Sequence, residues 1–125
     1  MISIPMILYL LFAHWVADFL CQTTEMGTMK SKDHVVLIKH TAVYSTVMSL
    51  FMVPLIWIPL INVVTFWIIT FVCHTAQDYI TSKITSKRFS QQLYNGWTGA
   101  FTVIGFDQWL HYIQIFITYY LLTNQ

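Results

Sequence analysis

The amino-acid sequence predicts an all-α, polytopic membrane protein, a single domain over residues 1–125 with four transmembrane helices in an up-and-down bundle. Three observations predict it. Hydrophobic residues make up 57% of the chain and charged residues 9%, whereas soluble domains carry roughly 25% charged residues. Four apolar runs are each long enough to cross about 30 Å of hydrocarbon, which takes about 20 residues. The six lysines and arginines gather beside two of the three connections between those runs.

The first run, Ile2–Gln22, lacks the basic n-region and the small-x-small cleavage site of a signal peptide, and it carries His14 and Asp18. It is therefore expected to be a retained helix. The polar stretch Thr23–His34 follows as a loop. The second run, Val35–Ile58, contains Pro54, which is expected to kink it, and Pro59 marks a tight turn. The third, Leu60–Ser82, leads into the polar connection Lys83–Trp97, which has room for a short interfacial helix. The fourth is Thr98–Thr123. Aromatic residues, 17% of the chain, are frequent near segment ends, as in interfacial belts. Cys21 and Cys73 form no spacing motif. They read as small buried hydrophobes, with a ligand role secondary and no disulfide argued.

Charge orients the bundle. Lys30, Lys32, Lys39, Lys83, Lys87 and Arg88 lie in or beside the first and third connections. In an up-and-down bundle these share one side. The positive-inside rule places that side in the cytoplasm of a bacterial inner membrane, with both termini outside. A net charge of +1 and the lack of a basic stripe argue against nucleic acid as a partner. The partner expected is the lipid bilayer.

Ionisable residues inside the apolar runs carry the functional signal. His14/Asp18 and His74/Asp78 are spaced His-x-x-x-Asp, and Asp107/His111 is the mirror pattern. Residues four apart share a helix face, so each pair projects an imidazole and a carboxylate the same way. The two His-x-x-x-Asp pairs recur at an offset of 60 residues, as a duplicated helical hairpin would produce. At 1.5 Å per residue, His14 and His74 lie about 12 Å below the cytoplasmic boundary and Asp18 and Asp78 about 6 Å. By the same rise Asp107 and His111 lie about 14–20 Å in, and His40 about 8 Å. All seven groups fall in one half of the bundle, and hydrocarbon cannot solvate them, so each is expected to face inward.

Imidazole and carboxylate at facing helices suit a divalent metal. Zinc is the first expectation, with manganese, iron or cobalt as alternatives. The inventory is His14, Asp18, His40, His74, Asp78, Asp107 and His111. It exceeds the four ligands of one tetrahedral zinc. It suffices for one ion with aspartates behind the histidines, or for two ions about 3.5–4 Å apart. The bland alternative is a hydrogen-bonded clamp between helices. Three pairs at matching depth weigh against it.

Weaker signals surround this set. Gln22 and Gln108 extend the polar patch. Gln108, next to Asp107, is expected to point towards a neighbouring helix. Gln114 shares the Asp107/His111 face, and Tyr44, one turn beyond His40, has a hydroxyl to donate to a ligand. Lys39 and Lys83 sit at the rim, where snorkelling is the default and holding a substrate phosphate is the sharper reading. Ala13/Ala17 and Ser45/Ser49 are small residues four apart, which permits close helix approach. No Gly-rich phosphate loop, Gly-x-Ser-x-Gly elbow or His-Glu-x-x-His motif occurs.

In order along the chain, His14, Asp18, Phe19 and Gln22, then His40, then His74 and Asp78, then Asp107, Gln108 and His111 resemble the family of small bacterial and phage membrane proteins catalogued as domain of unknown function 3307. The resemblance covers nearly the whole chain and implies the site without naming a reaction. A looser similarity runs to membrane-bound metal-dependent hydrolases, which also place His and Asp four apart on membrane helices.

The function expected from these residues is that of an intramembrane metal-dependent hydrolase. Its ion, one or two per chain, would be held by His14, His74 and His111, with His40 as a further ligand. Asp18, Asp78 or Asp107 would bridge ions or act as general base. Lys39, Lys83, Gln22 and Gln108 would contact a lipid-linked or phosphorylated substrate entering from the cytoplasmic side. A transporter of divalent cations or protons is the alternative. With so few helices it requires a homodimer. A third expectation is a non-catalytic interaction protein whose polar core only sets helix packing.

Overall fold

The computed structural model describes residues 2–55 and 58–124. It is all-α, with no strand among the described residues. Its elements are α1 (Ile4–Trp15), a π turn (Val16–Leu20), α2 (Thr24–Met29), α3 (His34–Met52), α4 (Leu60–Ser90) and α5 (Ala100–Thr123). α3 packs on α4, α4 on α5, and α1 bridges α3 and α5. The long helices thus close a ring, each lying beside its neighbours in the chain.

Local chemistry sets the ends. The Ser3 hydroxyl accepts from the Met6 N–H at 3.4 Å, and Pro5 fits the first turn of α1, where its missing donor costs nothing. The Thr23 hydroxyl accepts from the Met26 N–H at 3.2 Å and starts α2 inside the connection expected to be a loop. Asp33 caps α3, its carboxylate accepting from the Val35 N–H at 2.7 Å and the Val36 N–H at 3.4 Å.

Two boundaries differ from those expected. α3 stops at Met52 instead of bending at Pro54 and running to Ile58. Val53 still has helical geometry (φ −58°, ψ −43°), but Pro54 lacks an N–H to continue the ladder, so the last turn ends there. Residues 56 and 57, expected in that helix, lie outside the described residues. α4 runs on to Ser90, well past Ser82, through most of the expected polar connection. Its 31 residues meet no Gly or Pro. At 1.5 Å per residue it is about 46 Å long, beyond what hydrocarbon requires. Lys87 and Arg88 sit in its last turn, where cations favour the negative end of the helix dipole. It closes with Gln92 in the left-handed region at φ 58°, Leu93 N–H reaching Arg88 C=O at 2.9 Å and Gln92 N–H reaching Phe89 C=O at 3.0 Å. Gly99, before α5, is required by close approach: a Cβ there would lie 2.5 Å from the Asn95 backbone.

The interior is as polar as it is apolar. Among the described residues fourteen polar or charged side chains and thirteen hydrophobic ones are buried, while Ile4, Leu8, Phe12, Ile61, Ile68, Val72, Phe101 and Trp109 face outward. α3 and α4 are long and apolar enough to cross a membrane, and Ile4–Leu20 is a shorter apolar helix. The apolar part of the core joins Leu10, Met48, Met52, Val63, Phe66, Ile115 and Leu122. The polar part lies at the end that carries α2.

Candidate metal centre

Each long helix contributes to one buried cluster. All seven histidines and aspartates singled out from the sequence are buried. The π turn helps present Asp18, since its Cys21 N–H bonds Val16 C=O at 2.9 Å, one residue further back than in an α-helix. Single π turns inside helices are frequent at functional sites.

His40 and His74 form the middle of the cluster. Their Nε2 atoms are 3.1 Å apart. Two carboxylate oxygens flank this pair. Asp18 Oδ1 lies 3.2 Å from His40 Nε2 and 3.7 Å from His74 Nε2, and Asp78 Oδ2 lies at 3.1 and 3.6 Å from the same atoms. A tetrahedral ion with ligands at about 2.0–2.1 Å holds them about 3.3 Å from one another. The observed separations bracket that value. Asp18, His40 and His74 form one ligand trio, and His74, Asp78 and His111 form another, all buried.

The donor chemistry fits a cation. Asp18 Oδ1 is buried and accepts no hydrogen bond. Leaving a buried carboxylate uncompensated costs several kcal/mol. Two neutral imidazoles meeting Nε2 to Nε2 share at most one proton, so lone pairs converge where the carboxylates also point. At His111, Gln77 sets the tautomer. The Gln77 amide donates to Leu110 C=O at 3.4 Å, so its Oε1 accepts from His111 Nδ1–H at 2.5 Å. His111 Nε2 then faces Asp78 Oδ1 at 3.3 Å and Asp107 Oδ2 at 3.2 Å, and a proton or a metal ion must lie between them.

A second layer orients these groups. Gln108 Nε2 donates to Asp18 Oδ2 at 3.1 Å and to Asp107 Oδ2 at 3.3 Å. Its Oε1 therefore accepts from His14 Nε2–H at 2.8 Å, and the Tyr44 hydroxyl donates to His14 Nδ1 at 2.7 Å. With both ring nitrogens used this way, His14 stands outside both trios and holds Gln108 in place. Gln108 does reach a neighbouring helix, as expected, and also enters the site. Thr81 donates to Asp107 Oδ1 at 2.6 Å. Gln114 lies deeper, bonded to Thr70 and Thr118.

The structure adds a basic residue that sequence reasoning passed over. Lys30, at the end of α2, places Nζ 2.8 Å from Asp78 Oδ2 and 3.4 Å from His40 Nε2. Burial pulls its ammonium towards deprotonation, but the Asp78 and Asp18 carboxylates outweigh that and raise its pKa above the usual lysine value. Lys39 and Lys83, the basic residues assigned to substrate contact, are not brought to the cluster. Lys39 is exposed because neighbouring residues on a helix point about 100° apart and His40 points inward. Lys83 lies over the Tyr79 ring at 3.5 Å. Cys21 and Cys73 are free and belong to neither trio.

A cavity of about 440 Å³ opens from the cluster between α2, the π turn, α4 and α5. Asp18, Asp78 and Asp107 reach it together with Lys30, Gln22 and Gln108. Thr28, Ser31, Ser82, Thr85 and Ser86 line it, and Phe19, Phe89 and Ile104 complete its wall. Gln22 thus lies at the cavity and not among the ligands.

No curated protein and no solved structure matches this chain, and the looser similarity to membrane-bound hydrolases gains no support from either comparison. The sequence matches one family over residues 6–125, nearly its whole length and every group of the cluster. The chain belongs to the family described as Protein of unknown function (DUF3307).

Proposed function

We propose that this chain is a multi-pass membrane metalloprotein of the bacterial inner membrane, and that it hydrolyses a lipid-linked or phosphorylated molecule reached from the cytoplasmic side. The observation that carries the metal reading is the pair of buried trios, Asp18/His40/His74 and His74/Asp78/His111, with ring nitrogens 3.2–3.7 Å from carboxylate oxygens. A divalent ion would supply the positive charge that such a set of buried lone pairs lacks. Zinc suits the donor set, as do manganese, iron and cobalt.

Four membrane crossings, with α1 and its π turn, α3, α4 and α5 as the spans, fit the outward apolar and inward polar surfaces. The basic residues of the α2 end fit a cytoplasmic location, with both termini outside. The cavity at that end supports a substrate reading over a transport one. On the opposite side of the cluster Leu10, Met48, Met52, Phe66 and Ile115 fill much of the bundle, with Ser45, Ser49, Thr70, Gln114 and Thr118 buried among the same helices.

The residues divide the work. Asp18, His40 and His74, or His74, Asp78 and His111, would hold the ion. A bound divalent ion lowers the pKa of a coordinated water and polarises a phosphoryl or carbonyl oxygen. Asp107 is the most open of the three carboxylates, 12% exposed against 5% for Asp18 and 1% for Asp78, and would take the proton as general base. Gln108 and Thr81 would keep it oriented.

The test has two steps. Elemental mass spectrometry on detergent-purified protein is expected to find bound metal in the native chain and none in a His40→Ala/His74→Ala variant. Native protein that retains no zinc, manganese, iron or cobalt after incubation overturns the metal reading. Phosphate release from phosphorylated lipid in mixed micelles is then expected for the native chain and lost in Asp107→Asn with metal content intact. Metal-loaded protein that cleaves no such substrate overturns the hydrolase reading alone.

A further inference from the structure

Lys30 is the feature whose chemistry the proposed function leaves unused. It comes from the polar connection, not from a long helix, yet its side chain is only 16% exposed and its ammonium touches two atoms of the ligand set. A lysine at a membrane rim ordinarily turns outward to water. This one turns inward.

Charge explains why. Asp18, Asp78 and Asp107 bring three negative charges into the buried cluster. With the histidines neutral, as metal ligands must be, the Lys30 ammonium cancels one charge and a single divalent ion cancels the other two. A second divalent ion beside Lys30 would leave the buried centre two positive charges in excess, with several kcal/mol of desolvation cost per uncompensated ion. Geometry agrees. Lys30 Nζ takes Asp78 Oδ2 and faces the lone pair of His40 Nε2, which compromises the Asp18/His40/His74 trio. The His74/Asp78/His111 trio keeps Asp78 Oδ1, 3.3 Å from His111 Nε2. His74 Nε2, with one lone pair, goes to that trio, which leaves Asp18 Oδ1, Asp78 Oδ2 and His40 Nε2 as a second cation position, the one Lys30 occupies.

We propose that Lys30 is a resident cation of this centre: its ammonium fills one of two cation positions around Asp78, so the chain takes one divalent ion instead of two. The inference rests on the metal reading above, but its test is a difference between variants.

Zinc per chain is counted by elemental mass spectrometry after equilibrium dialysis of folded, detergent-purified protein against excess zinc. One zinc is expected for the native chain, two for Lys30→Gln, and one for Lys30→Arg, which keeps the charge. Equal counts in the native chain and Lys30→Gln, zero included, overturn the proposal. No zinc in the native chain with one in Lys30→Gln would sink the metal reading of the native protein while leaving Lys30 as the resident cation. Should Lys30→Gln fail to fold, amine acylation mapped by peptide mass spectrometry gives a second answer. Lys30 is expected to react several-fold more slowly than the exposed Lys32 both before and after zinc loading. Lys30 that becomes as reactive as Lys32 on loading has been displaced by the ion, which overturns the proposal.

Discussion

The two ends of this bundle are built by the same long helices and obey opposite rules. At one end Leu10, Met48, Met52, Val63, Phe66, Ile115 and Leu122 form an apolar cluster, with the hydrogen bonds of Gln114 to Thr70 and Thr118 as the polar exception. At the other, His40, His74, His111 and three aspartates meet with separations of 3.1–3.7 Å, and Gln108, Gln77, Tyr44 and Thr81 fix their orientation. Apolar contacts are non-directional, so the apolar end supplies bulk but little register. Polar groups require a donor opposite each acceptor, so a shift of one helix by a single residue would break many bonds together. The polar end therefore specifies how the helices align, and the apolar end fills the space.

The largest expected effect breaks the polar end. Asp78→Asn removes the charge that faces His40, His74, His111 and Lys30, and metal binding should weaken by more than about 100-fold, since even loss of an outer partner costs about 10–100-fold. Equilibrium dialysis reads this directly. Next comes the apolar end. Phe66 is fully buried, and Phe66→Ala should cost about 3–5 kcal/mol in denaturant unfolding of the detergent-solubilised protein. Metal content should stay at the native level, because none of the ligand atoms belongs to that cluster. Loss of metal in Phe66→Ala would mean that the two ends are coupled, and the comparison would fail.

Smaller changes sharpen it. Tyr44→Phe keeps the ring stacked on His74 and removes only the hydroxyl that donates to His14 Nδ1. Metal affinity should fall by about 10-fold through a loosened Gln108, with a stability loss of about 1 kcal/mol. Unchanged affinity would strip His14 of its orienting role. Smallest of all, Lys39→Gln and Lys83→Gln should leave metal affinity within about twofold, since isolated exposed charges contribute little. Lys83→Gln should cost about 0.5–1 kcal/mol at most through the lost contact with the Tyr79 ring.

Helix class, order and the polar cluster were legible in the chain because residue spacing and depth along each apolar run report them. Spacing of four puts His14 with Asp18, His74 with Asp78 and Asp107 with His111, and depth counting puts all three pairs in one half of the bundle. The extension of α4 to Ser90 was harder to see, since polarity there mimics a loop and only the lack of Gly and Pro before Gly96 argues for continued helix. Gln77 carried a faint signal, three residues after His74 and beside Asp78.

By itself the sequence determined which ionisable side chains lie within apolar runs on shared helix faces, and so which were expected to meet. Only the tertiary structure decided how they divide. It turned His14 away to hold Gln108, set His40 at the middle, and brought Lys30 inward from a connection while leaving Lys39 outside. The reason is physical. Hydrophobic periodicity encodes the face on which a residue lies, but ligand roles depend on the directions of individual lone pairs and protons. Those are fixed by partners dozens of residues away, as Gln108 fixes His14 across 94 positions of the chain.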